Sequence, residues 1–151
     1  MDLSKLDLSK SANEGSVLKL VFPADIEEGE GEDAVLIHEK GDPITDEKGK
    51  SPKQFFVRLL GTDSDTYRKL SNRSLEKTFN SRDKKKKVDI AVTQREVAEK
   101  FAKCTTECYF IENGKEVECT PSEMTRVYLQ YTWIKEQVDE FINERSNFTK
   151  G

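Results

Sequence analysis

The chain has 151 residues, a length that fits one domain, with 34% apolar and 36% charged residues and a formal net charge of -4. No apolar run approaches the ~18 residues a membrane span needs, and residues 1–16 alternate polar and apolar where a secretory leader is continuously apolar, which predicts a cytoplasmic protein. Charge is unevenly spread: segments 1–33 and 104–151 are acidic and segment 62–103 is basic.

Residues 1–16 lack a sustained period and are expected to be mobile or loosely docked, ahead of a single domain over residues 17–148. Val17, Leu18, Leu20, Val21 and Phe22 make a short strand stopped by Pro23. The stretch Asp25 to Asp33, rich in carboxylates and carrying Gly29 and Gly31, reads as a loop. Ala34 to His38 is a second strand, and the segment from Gly41 to Pro52 a second loop. Gln54 to Leu60 is the clearest strand by its aromatic and β-branched content.

At Gly61 the period changes. Thr62, Asp63 and Ser64 are all good helix caps, and Tyr67, Leu70, Ser74, Leu75 and Phe79 then recur at helical spacing, predicting a helix over 65–80. Arg82 to Lys87 reads as a solvated hinge or helix end. The next helical stripe runs through Ile90, Gln94, Val97, Phe101, Cys104 and Cys108. Asn113-Gly114 marks a hairpin turn within 109–119. Thr120-Pro121-Ser122-Glu123 declares a helix start by cap, proline and capping-box glutamate together. Met124, Val127, Tyr128 and Tyr131 form that helix's buried stripe, and Thr132 restarts the chain into a last helix with Ile134, Val138, Phe141 and Ile142 inward. The predicted fold class is α+β: a small antiparallel N-terminal sheet, from strands within 17–60, packed on a mainly helical C-terminal two-thirds with its helices within 62–148.

Reactive constellations are sparse. Cys104, Cys108, Cys119 and the single His38 offer neither a disulfide framework nor a four-ligand zinc site, and reduced, half-buried thiols account for the cysteines. No nucleotide-binding glycine motif and no EF-hand ladder occurs, and no nucleophile with a base beside it emerges, so the expectation is no catalytic residue, no cofactor and no metal. The run Lys84, Lys85, Lys86 and Lys87 is the one hint of nucleic acid, but the chain is acidic and no aromatic side chains interleave the lysines. What remains is interaction chemistry: Trp133, Phe141 and Phe148 lie near the chain end as candidate interface anchors, although the spacing of Phe141 also suits a core stripe.

Several pieces occur together: Gly61-Thr62-Asp63-Ser64 with Tyr67-Arg68, Asn113-Gly114-Lys115, Cys119 to Glu123, and a closing W-I-x-x-Q-V-x-x-F-I-x-x-R-x-N-F from Trp133 to Phe148. This order, spanning about residues 55 to 148, resembles the small tail assembly chaperones of long-tailed bacteriophages. The resemblance implies a non-enzymatic protein of the infected host bacterium's cytoplasm, absent from the mature virion. Such a protein binds the long tape measure protein and keeps it soluble while the tail tube assembles. Its implied partner surface takes in Trp133, Phe141, Arg145 and Phe148 with the basic segment Lys84–Lys87, and tail tube protein and self-association are further candidate contacts. Two other classes stay open on the sequence: a structural virion component such as a tail or neck adaptor, and nucleic-acid binding through the lysine run.

Overall fold

A computed structural model describes residues 2–82 and 90–149, without the side chains of 74–82. In chain order the elements are α1 (Ser9–Glu14), β1 (Ser16–Lys19), β2 (Ile26–Glu28), β3 (Val35–His38), β4 (Phe56–Leu59), α2 (Asp65–Arg82), α3 (Ile90–Cys104), β5 (Thr105–Tyr109), β6 (Ile111–Glu112), β7 (Lys115–Glu116), α4 (Pro121–Gln130) and α5 (Thr132–Asn143). Short 3-10 turns sit at Leu3–Leu6, Gly31–Asp33 and Arg145–Phe148. The fold is α+β with helices dominating the C-terminal part, as the pattern of the sequence predicts.

The main sheet is antiparallel in the order β1-β4-β5, with Val17 opposite Arg58, Val57 opposite Cys108, and a register shift at Arg58/Leu59. Its composition differs from the expectation. The third strand comes not from residues 34–38 but from Thr105–Tyr109, a segment the helical stripe through Cys104 and Cys108 had absorbed. The helix ends at Cys104 because its last carbonyls find partners outside the helical ladder. Leu60 N–H donates to the Cys104 carbonyl at 2.9 Å, and the Thr105 hydroxyl donates to the Phe101 carbonyl at 2.8 Å. Beyond it, the β-branched pair Thr105 and Thr106 favours the extended chain. Tyr128, fully buried, places its hydroxyl 2.6 Å from that of Thr105 and ties the switch to α4.

Strand β3 instead pairs with β2 in a separate two-stranded ribbon, so the acidic stretch read as a loop contains a strand. Residues 1–16 likewise carry structure: Ala12 in α1 is 1% exposed, its carbonyl accepts from Gly61 N–H at 3.1 Å, and the Asn13 side chain accepts from Asp65 N–H at 2.8 Å.

The core lies between one face of the sheet and helices α3, α4 and α5. Val57 and Leu59 point inward from β4 to meet Ala98, Phe101, Met124, Tyr128, Val138 and Ile142. Three starts read from the sequence form as expected. Ser64 Oγ accepts from Tyr67 N–H at 3.2 Å at the head of α2, and Thr120 Oγ1 accepts from Glu123 N–H at 3.2 Å at the head of α4, with Pro121 in the first turn. Asn113 (φ 52°) and Gly114 (φ 78°) make the β6–β7 turn, two successive left-handed residues as a tight hairpin requires. Past β1, the side-chain amide of Gln137 on α5 grips Val21: Val21 N–H donates to Oε1 at 3.3 Å and Nε2 donates to the Val21 carbonyl at 2.9 Å.

A candidate partner-binding cleft

Tyr131 is the joint between α4 and α5. Its backbone (φ -107°, ψ 78°) leaves the helical region, and its hydroxyl donates to Glu112 Oε2 at 2.6 Å. Arg126 reaches the same carboxylate with both terminal nitrogens, at 2.9 and 3.2 Å, and touches Glu123 at 3.0 Å. These bonds, those of Arg126 foremost and then that of Tyr131, hold the Glu112 carboxyl below the usual glutamate range. Their structural effect is to fix the β6–β7 hairpin against the helical corner.

Between that corner and the segment leading into β2 lies a cleft of about 420 Å³. Phe22 and Ile26 form one wall, Phe110 and Val127 line it, and Tyr131 and Trp133 stand at the corner, while Glu112 and Asn113 are the polar exceptions. Trp133 is half-buried, and its indole N–H makes no hydrogen bond to any described residue. An indole with one face packed and its donor free is what protein interfaces favour, because one end is apolar and the other can still be satisfied by a partner. The Phe22 ring stacks on His38 at 4.3 Å between centroids, which joins this wall to the base of the ribbon.

The other residues singled out in the sequence lie elsewhere. Phe141 lines a separate shallow groove with Leu18 and Gln137. Phe148 is 4% exposed, packs edge-to-face on Phe141 at 5.5 Å, and lies against Gly61, where an added Cβ would come within 2.9 Å of its ring. It is a core plug, so its place near the chain end does not make it an exposed anchor. Arg145 bonds Asp63 at 3.1 and 3.4 Å, and Asp63 also lies 3.8 Å from Arg68. Trp133 is thus the one described member of the sequence-based set that borders the cleft. Lys84, Lys85, Lys86 and Lys87 lie outside the described residues.

Sequence reasoning missed Phe22, Ile26 and Phe110 as cleft residues. A signal existed for Ile26, an isolated large apolar side chain among carboxylates with no helical or strand stripe of its own.

The cysteines also sit differently from the expectation. Cys104 is in α3 and Cys108 in β5, so they share no helical face. Burial pushes the Cys104 thiol up to about 11 and the Cys108 thiol up to about 12, while Cys119 is exposed. Such thiols carry little thiolate at neutral pH and are poor nucleophiles. Among the described residues no three side chains of the metal-ligating types cluster to hold an ion, and no helix is long and apolar enough to cross a membrane.

No protein-family model matches the chain, and neither a curated protein nor a solved structure matches it.

Proposed function

We propose that this chain is a non-enzymatic binding protein that shields an apolar stripe of a helical partner, and specifically a tail assembly chaperone of a long-tailed bacteriophage. On this reading it acts in the host cytoplasm, holds the tape measure protein in solution until tube subunits surround it, and leaves before the virion is complete. The observation that carries the reading is the apolar cleft at the α4–α5 corner with the free indole donor of Trp133 at its edge. Apolar grooves of this kind receive amphipathic helices through side chains at helical spacing. The form of the closing helix, Trp133 to Phe148, supports the choice of partner by its resemblance to such chaperones.

The test is co-expression of the tagged full chain with a tape measure protein of a long-tailed bacteriophage, followed by affinity purification and light scattering. A soluble complex, where the partner alone precipitates, supports the proposal. Trp133→Ala, with an unchanged melting profile, is expected to lower capture about tenfold, the size of a modest hot spot. Failure to co-purify, or equal capture by the Trp133→Ala protein, defeats the cleft assignment. Recovery of the chain in stoichiometric amounts from purified particles moves the function to a virion adaptor.

A further inference from the structure

The stretch beside the cleft carries Asp25, Glu27, Glu28, Glu30, Glu32 and Asp33 with no lysine or arginine among them. Ile26, the first residue of β2, belongs to the cleft wall, so the chain that carries these carboxylates runs directly into and away from that wall. Among the described residues none of Glu27, Glu28, Glu30, Glu32 or Asp33 forms an ion pair. Glu112, on the opposite side, is already neutralised by Arg126. The unpaired carboxylates next in sequence to the cleft wall are thus those of the ribbon and the approach to it.

That ribbon also exposes large apolar side chains: Val35 at 64%, Leu36 at 45%, Ile37 at 41% and Ile26 at 41%. Apolar surface on a segment dense in unpaired carboxylates rejects acidic partners and attracts basic ones, since charge complementarity at an interface selects partners before contacts form. A cavity of about 420 Å³ is at the small end for binding pockets, so it admits side chains presented from one face and not a stretch of backbone. A helix presents side chains in that way.

We infer that the occupant of the cleft is a basic amphipathic helix. Its large apolar side chains enter beside Trp133, and its flanking lysines or arginines lie along the carboxylates of β2 and the Gly31–Asp33 turn. The inference rests on the cleft being a partner site, and adds the charge and conformation of the segment that fills it.

The experiment measures binding of three synthetic peptides to the full chain by fluorescence anisotropy across a salt series. One is an amphipathic helix of leucine and lysine, the second has glutamate in place of lysine, and the third is the lysine peptide broken by central prolines. The lysine peptide is expected to bind at least about tenfold more tightly than either control at low salt, with the advantage shrinking as salt screens the carboxylates. A charge-neutral ribbon, Glu27→Gln, Glu28→Gln, Glu30→Gln, Glu32→Gln and Asp33→Asn together, is expected to remove that advantage, and Trp133→Ala to weaken the lysine peptide about tenfold without unfolding the chain. Equal binding of the lysine and glutamate peptides overturns the inference. So does binding that survives the prolines, which would mean an extended occupant, or a self-association lost in the same variants, which would mean a second copy. Capture of the tape measure protein that is indifferent to the neutral ribbon keeps the chaperone proposal and removes this inference. Peptide binding as described, without that capture, does the reverse.

Discussion

The body built on β1, β4 and β5 and the ribbon of β2 and β3 are both antiparallel and both carry valine and leucine, yet they use them in opposite ways. In the body, Val57 and Leu59 are 0% exposed and meet helices on the inward face. In the ribbon, Val35, Leu36 and Ile37 lie on successive positions of one strand, so both faces are apolar and all three are open. The difference teaches that alternation, not apolar content, marks a strand that builds a core. A two-stranded ribbon that leaves its large apolar side chains exposed contributes less to stability than the body and keeps that surface for something outside the fold.

The largest expected effect is in the body. Leu59→Ala removes a fully buried side chain from the central strand and is expected to cost about 2–5 kcal/mol, measured by chemical denaturation. A loss comparable to that of a surface change would mean that the sheet's inward face is loosely packed. Gly61→Ala comes next, at about 1–3 kcal/mol, because the new methyl would press on the Phe148 ring and displace the C-terminal plug. Its signature is a change in the environment of Phe148 seen by NMR, and an unmoved ring would contradict the packing described.

Acid probes the β6–β7 hairpin held on the α4–α5 corner of the body. Glu112 has its carboxyl lowered in the folded chain below the ordinary value of 4.5, so the stability it contributes is present above that pH and lost as pH falls through the lowered value. Between pH 7 and pH 3 the melting temperature of the Glu112→Gln protein is expected to fall less than that of the unmodified chain. Equal falls would remove Glu112 from the acid response.

The smallest effect belongs to the ribbon. Val35→Ser with Ile37→Ser is expected to change stability by no more than about 0.5 kcal/mol, the range of surface substitutions. Backbone amides of 26–38 should also exchange with solvent well before those of β4. Slow exchange in the ribbon would erase the contrast with the body.

Much of the body was legible because its signals are local. The Thr120-Pro121 start, the Asn113-Gly114 turn and the Ser64 cap each depend on a few adjacent residues, and each forms. Thr105–Tyr109 was not, since Cys104 and Cys108 continue the spacing of a helical stripe and only the pairing with β4, distant in sequence, decides for a strand. The strand at Ile26–Glu28 was hidden by carboxylates, which strands usually avoid. The cleft was hidden for another reason: its walls come from positions 22, 26, 110 and 133, and no spacing rule links residues so far apart.

Gln137 has a consequence for what can pair with the chain beyond β1. An unpaired donor and acceptor at the end of a strand are a template on which a neighbouring chain can add itself. At Val21 both groups are already taken by one side-chain amide, which stands in for the missing neighbour and cannot be extended further. At this position the chain is therefore closed to a further strand by its own helix α5.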